Sequence, residues 1–318
     1  MKVNEILQGD SFTVLKTLPD NYIQTCITSP PYYGLRDYGV EGQIGLESSV
    51  SEYVRHLVEI FREIRGVLKD DGTLWLNLGD SYAGSGKGAW KKKDKQFHGY
   101  VPDPKSPQTK IKDSTFKPKD LMGIPWRVAF ALQEDGWYLR SDVIWNKPNA
   151  MPESVTDRPT KSHEYIFLLS KSPKYYYDHE AIKEQAIYGT QDIRGSKGSF
   201  GPLQKNRRLD RPRGSFNGKY GTESFRAIRN MRNKRDVWTV STKPYKDAHF
   251  ATFPPDLIRP CILAGSREND LVLDPFFGSG TTGIVALEHN RNFLGIELNT
   301  EYIKLAKKRL SEIQMSFI

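Results

Sequence analysis

A doubly wound, mostly parallel α/β sheet carrying basic insertions is the fold class this sequence predicts. Short apolar runs that end in turns alternate with helical patterns, which is the signature of strand–helix–strand units. One of those turns, DPFFGSGTT (Asp274 to Thr282), is glycine-rich and sits between an apolar strand and a helix. The positive charge is gathered into two polar segments between the patterned blocks, so insertions interrupt one framework.

The first block runs from Met1 to about Ala83. It begins with a short strand near Val3 to Leu7, followed by an apolar strand, YIQTCI, that closes on TSPPYYG. An amphipathic helix follows in SEYVRHLVEIFREIRGVLKDDG, where Tyr53, Leu57, Ile60, Phe61, Ile64 and Leu68 recur at spacings of three and four and so share one face. GTLWLNLGDS then reads as an apolar strand. The second block, about Asp120 to Glu180, holds a helix (IPWRVAFALQEDGW) and two strands (YLRSDVIWNK and EYIFLLSKS). The third, about Ala248 to Ile318, reads helix (PPDLIRPCILAG), strand (DLVLDPF), helix (TTGIVALEHN), strand (NFLGIEL), helix (TEYIKLAKKRLSEI).

With 318 residues the chain can bury a large core. Its two cysteines, Cys26 and Cys261, supply neither a disulfide framework nor a metal ligand set. No signal pattern and no apolar run near 20 residues appears, so a soluble, cytoplasmic protein with no membrane partner is expected. Net charge is +9, but Lys87 to Lys119 carries ten Lys against three Asp, and Lys183 to Arg235 fourteen Lys/Arg against four Asp/Glu. These segments hold +7 and +10, which leaves 9 − 17 = −8 for the rest. An acidic body with concentrated basic insertions suits a phosphate backbone, whose neutralisation releases condensed counterions. The later insertion also interleaves Phe200, Phe216, Tyr220, Phe225 and Trp238 with arginines, as a recognition module would.

Ligands of doubly wound sheets bind beyond the carboxyl ends of the strands, so the strand-terminal residues matter most. Gly278 and Gly280 let the backbone approach a ligand, and the helix that follows offers its N-terminal amides. Glu297 ends the next strand, where a carboxylate can accept both hydroxyls of a ribose. From the residues alone, a nucleoside-containing cofactor and an ordinary strand–turn–helix both remain open. GSGKG (Gly84 to Gly88) lacks a completed phosphate-loop motif and reads as a loop over a polyanion. Pro260-Cys261 lies inside an apolar helix pattern and reads as core. Gly79-Asp80-Ser81 ends its strand near the same edge and is a candidate for shaping a pocket, with an ordinary strand-end turn the alternative; Trp145 to Pro148 are also strand-terminal.

DPFFGSGTT followed by LGIELN resembles the S-adenosylmethionine motif and ribose acid of DNA amino-methyltransferases. TSPPYYG is similar to that family's catalytic motif, AHFATFPPDLI (Ala248 to Ile258) to the segment enclosing the methionine end of the cofactor, and Trp145, Asn146, Lys147 and Pro148, less specifically, to a pocket-lining segment. The catalytic motif first, a basic region in the middle and the cofactor motif last is the order of the beta group. The resemblance covers about two thirds of the chain. It implies a Rossmann-like catalytic domain made of residues 1–83, 120–180 and 237–318 and, from the order of motifs, a DNA target-recognition region at 181–236. The two basic segments themselves match nothing in the family, and 84–119 is read from its charge as a basic insertion loop.

The resemblance further implies S-adenosyl-L-methionine as cofactor, held by Asp10, His249, Phe250, Thr252, Phe253, Asp274, Pro275, Phe276, Gly278, Ser279, Gly280 and Glu297. Taken singly, Asp10 also fits a helix cap, Phe253 core, and His249 a satisfied histidine. Ser29, Pro30, Pro31 and Tyr32 are the implied catalytic residues. An exocyclic amine is a poor nucleophile because its lone pair is delocalised into the ring. A side-chain oxygen and a backbone carbonyl converging on it would recover that density, and Tyr32 offers a face for stacking. The base must be flipped out of the duplex. Arg207, Arg208, Arg211, Arg213, Arg226, Arg229, Arg232 and Arg235 are the expected DNA contacts. Serine at the head of the motif resembles the cytosine-N4 group, with adenine N6 the alternative. A DNA-binding protein without turnover, or an RNA or protein-amide methyltransferase, fits less well. Double-stranded DNA is the implied partner, in a restriction-modification setting, with a cognate restriction endonuclease and a homodimer as candidates.

Overall fold

The computed structural model describes residues 3–35, 37–84, 113, 115–186, 231–242 and 253–316. In chain order the elements are β1 (Glu5–Gln8), α1 (Ser11–Leu15), β2 (Ile23–Thr28), α2 (Val50–Val67), β3 (Leu68–Leu78), α3 (Ile124–Glu134), β4 (Tyr138–Asn146), β5 (His163–Ser170), β6 (Glu184–Gln185), β7 (Met231–Arg232), β8 (Val237–Thr239), α4 (Pro255–Gly265), β9 (Leu271–Asp274), α5 (Thr281–Glu288), β10 (Asn292–Glu297) and α6 (Thr300–Ser316). Contacts divide the chain into one unit of Met1–Asp178 with Arg235–Ile318 and another of His179–Lys234.

The first unit is built on an eight-stranded sheet of order β1-β10-β9-β2-β3-β5-β4-β8. Every neighbouring pair is parallel except β3·β5 and β5·β4, so β5 alone is reversed in it. This is the mostly parallel, doubly wound sheet that the sequence predicts. Strand β2 is buried at every position and β9 likewise, as central strands covered on both faces must be. The predicted stripe of α2 is what the core receives: Tyr53, Leu57, Phe61 and Ile64 are fully buried. Ser49 caps that helix by accepting from Glu52 N. In the second unit β6 and β7 pair antiparallel.

Three local expectations change. The helix pattern was expected to run on to Gly72, yet α2 stops at Val67, where Leu68 turns extended (φ −69°, ψ 142°) and pairs with Ile23. Helix α1 forms where no element was predicted, and Asp10 caps it, as one reading of that residue allowed: Oδ1 accepts from Thr13 N and Thr13 Oγ1, both at 2.9 Å. Trp238 is no recognition aromatic. It lies on β8, paired with Trp145, buried, with its ring centroid 6.4 Å from that of Trp75. An aromatic after a polar segment looks the same in sequence whether it closes a loop or opens an edge strand.

The two ends of the first basic insertion are tied to each other and to α2. Ala83 N donates to Asp120 O (2.8 Å) and Lys119 N to Ala83 O (2.7 Å), while Asp113 accepts from Val50 N at the start of α2 (2.8 Å). Gly84 is described, whereas Ser85 to Gly88 of GSGKG lie outside the described residues.

Candidate active site

The winding of the chain makes β2 and β9 special. From β9 it passes through α5 to β10 on one side, and from β2 through α2 to β3 on the other, so the strand order reverses between these two neighbours. A crevice at such a switch point is where doubly wound sheets take their ligands. TSPPYYG leaves β2 there and DPFFGSGTT leaves β9.

The two motifs are joined directly. Thr28 Oγ1 donates to Asp274 Oδ1 (2.7 Å), Thr282 Oγ1 to Oδ2 (2.6 Å) and Phe276 N to Oδ1 (3.1 Å). Asp274 is buried, and burial pushes its carboxyl up to about 6, against the pull of those three donors toward the charged form. Both oxygens are engaged by protein, so Asp274 braces the turn. Behind it, Pro275 O accepts from Ser11 Oγ (2.5 Å), which ties α1 to the same turn.

Gly278 (φ +52°) and Gly280 (φ +81°) take left-handed backbone that glycine adopts at little cost. Gly278 N donates to Glu297 Oε2 (2.7 Å), and Asn299 N to Oε1 (2.8 Å). Burial raises the Glu297 carboxyl, while the amide donors of Asn299 and Gly278 lower it. With Leu298 a third amide donor, the carboxylate still has acceptor capacity left for a hydroxyl. Ser279 points inward: Arg309 Nη1 donates to its carbonyl (2.6 Å) and its Oγ (2.7 Å). Phe276 is half-buried against the core.

Phe277, which sequence reasoning passed over, is the floor of the turn. Its ring is buried, stacks on Phe293 (5.4 Å, 10°) and fills space that side chains at Gly283 and Gly295 would need. A Cβ on Gly295 would lie 2.5 Å from its Cδ2. The signal was the glycine inside strand LGIEL, which marks a close approach.

On the β2 side, Ser29 follows Thr28, and Tyr53 OH holds the Pro31 carbonyl (2.8 Å). Tyr32 OH meets Glu164 Oε2 at 2.8 Å, Asn77 Oδ1 at 3.3 Å and Ser29 Oγ at 3.4 Å. Its hydroxyl is pushed well above the usual phenol range by burial and by the Glu164 charge. Glu164 Oε1 is ion-paired with Lys147 Nζ, and Asn77 Nδ2 donates to Glu164 Oε2 (3.2 Å) and Tyr165 O (3.1 Å). Gly79 makes this meeting feasible, since a Cβ there would lie 2.6 Å from Tyr32 Cε2. Nearby, Asp80 Oδ1 accepts from Ile124 N (3.0 Å) and Ser81 N (2.9 Å), and Lys161 Nζ lies 3.7 Å from Oδ2. Glu164 and Asn77 were not singled out in the sequence, and Lys147 was noted as pocket-lining.

Other expected site residues are placed less centrally or not at all. Asp10 serves α1 as its cap through Oδ1. Phe253 is half-buried just ahead of α4, and Cys261 is buried within that helix. His249, Phe250, Thr252, Arg207, Arg208, Arg211, Arg213, Arg226 and Arg229 lie outside the described residues. In the second unit Arg232 Nε donates to Glu184 Oε1 (2.8 Å), and in the first Arg235 O accepts from Trp238 Nε1 (2.6 Å).

The sheet order, the glycine turn and the strand-end carboxylate suit a nucleoside-containing cofactor, and the residues present fit S-adenosylmethionine. The DNA methylase family N6_N4_Mtase matches residues 23–308, and the chain belongs to it. Among its relatives, the Type II methyltransferase M.Cfr9I of Citrobacter freundii is 49% identical over 310 residues, covering 96% of this chain and 87% of that protein. M.SmaI of Serratia marcescens is 48% identical over 306 residues, with 96% and 90% covered. Among solved structures, the PvuII DNA methyltransferase (cytosine-N4-specific) superposes with a TM-score of 0.62 at 18% identity, over 98% of this chain and 92% of that one. A DNA modification methylase of Thermus thermophilus, TTHA0409, complexed with S-adenosyl-L-methionine, gives 0.59 at 20%, over 98% and 94%. The protein is therefore a DNA methyltransferase of the N6/N4 family.

Proposed function

We propose that this enzyme methylates the N4 amine of a cytosine flipped from a specific short sequence of double-stranded DNA, as the modification half of a restriction-modification pair. The observation that carries the reading is Ser29, a neutral hydroxyl where β2 ends, one residue beyond the Thr28–Asp274 bond to the glycine turn. Bound S-adenosylmethionine supplies a methyl group on a sulfonium. Glu297 would hold the ribose and Gly278 the backbone close to it, with Phe276 and Phe253 against the rest. Ser29 Oγ and the Pro30 carbonyl would accept from the amine, and the Tyr32 ring would stack on the base. The cytosine-N4 specificity printed for the PvuII enzyme and the serine of TSPPY both support cytosine. The arginines of residues 207–235 are proposed to track the phosphate backbone.

Adenine N6 is the second reading, favoured by the family's inclusion of both chemistries. Incubation with labelled S-adenosylmethionine and mixed-sequence DNA, digestion to nucleosides and mass analysis separates the two. N4-methyl-2′-deoxycytidine is expected; N6-methyl-2′-deoxyadenosine would replace the first reading with the second. A nuclease partner and a homodimer are proposals for which co-purification and sedimentation are the tests.

A further inference from the structure

The residues around Tyr32 form a chain of hydrogen bonds whose direction is determined by its far end. Lys147 has donors and no acceptor, and an ionised carboxylate has acceptors and no donor. Glu164 therefore accepts from Lys147 on Oε1 and must accept on Oε2, where Tyr32 OH (2.8 Å) and Asn77 Nδ2 (3.2 Å) both approach. A phenol has one proton. The short contact to the carboxylate takes it, in preference to the longer one to Asn77 Oδ1 (3.3 Å). Toward Ser29 the Tyr32 oxygen can then only accept, so Ser29 Oγ donates along its 3.4 Å contact.

We infer that Glu164, backed by Lys147, is a positioning residue that acts through Tyr32 to turn the Ser29 hydroxyl, leaving its lone pairs toward the target amine. The inference rests on the amine-methylation reading and deepens it. A serine hydroxyl left to itself can donate or accept, and a donor aimed at the amine nitrogen would compete for the lone pair that must attack the methyl. Held by this chain, Ser29 presents acceptor capacity only, as an aspartate would. The role is the same for cytosine N4 and adenine N6. Glu164 reaches the site because β5 runs opposite to its neighbours, which brings the start of that strand to the ligand-binding edge.

Glu164→Gln tests the polarity at nearly constant shape. The glutamine must give its oxygen to Lys147, which cannot accept, so its NH2 faces Tyr32, which loses the carboxylate that fixed its proton and is left with the longer contact to Asn77 Oδ1 or with Ser29 as acceptor. Single-turnover methyl transfer should fall by about 10- to 100-fold, with DNA and S-adenosylmethionine affinities within about twofold of wild type. Tyr32→Phe should show a similar loss, and the double variant should be no slower than Tyr32→Phe, because both act through one hydroxyl. Wild-type rates in the Glu164→Gln variant, or losses that multiply in the double variant, would overturn the role. If Glu164→Gln does not fold, Tyr32→Phe decides: an unchanged transfer rate overturns the chain, and a loss of about tenfold at unchanged DNA affinity supports it. A wild type that transfers nothing to DNA would remove the underlying reading and this inference with it. An active wild type with an unaffected Glu164→Gln variant removes Glu164's role and leaves the reading standing.

Discussion

Thr28 Oγ1 donates a 2.7 Å hydrogen bond to Asp274 Oδ1, across the two strands between which the winding of the sheet reverses. This bond thus ties the motif proposed to hold the base to the turn proposed to hold the cofactor. Thr28→Val keeps the shape and deletes the donor, leaving a buried carboxylate short of one partner. Unfolding stability should drop by about 1–3 kcal/mol, read from urea titrations. The KM for S-adenosylmethionine should rise as the turn loosens.

The Asp274 carboxyl gives a pH signature. Its ordinary value is 3.8 and the folded protein raises it to about 6, so the folded state holds this proton more tightly than the unfolded chain. Its contribution is fully present below pH 4 and is lost as pH rises through 6. Relative to Asp274→Asn, whose offset does not titrate, wild-type stability should decline by about 3 kcal/mol between pH 4 and 7. A flat difference would contradict the assignment.

Gly295→Ala should be costly for a methyl group. The added carbon would meet the buried Phe277 ring far inside van der Waals contact, and overpacking of this kind destabilises by about 1–3 kcal/mol. Because Phe277 is the floor of the glycine turn, cofactor affinity measured by calorimetry should fall along with the melting temperature.

Much of this was legible in the sequence, and the misses have a common cause. Apolar periodicity marked α2, and the strand-end rule led to Ser29, Glu297 and the glycine turn. That rule inspects carboxyl ends, so it passes over a strand that runs backwards. Glu164, near the start of β5, is at the site for that reason, and sequence cannot show which strand is reversed. Asn77 and Phe277 read as ordinary strand and turn residues until Gly79 and Gly295 are seen to make room for their neighbours. Asp10 was assigned to the cofactor from resemblance, and its geometry is that of a cap.

Arginines in the second basic segment should differ in effect. Arg232 is already paired with Glu184, so Arg232→Gln should change DNA affinity less than Arg207→Gln with Arg208→Gln. Titrating binding against salt measures this. The double variant should flatten the slope by about 2 if both residues contact phosphates. An unchanged slope would count against a recognition role for that segment.

The central claim is that Ser29 receives the target amine beside the bound cofactor. Its most direct test is nucleoside mass analysis of DNA treated with labelled S-adenosylmethionine, using wild type and Ser29→Ala. Wild type should yield N4-methyl-2′-deoxycytidine, and Ser29→Ala should lose product by about 100-fold or more while cofactor affinity stays near wild type. Methylation at undiminished rate in Ser29→Ala, or loss of cofactor binding in it, would contradict the account.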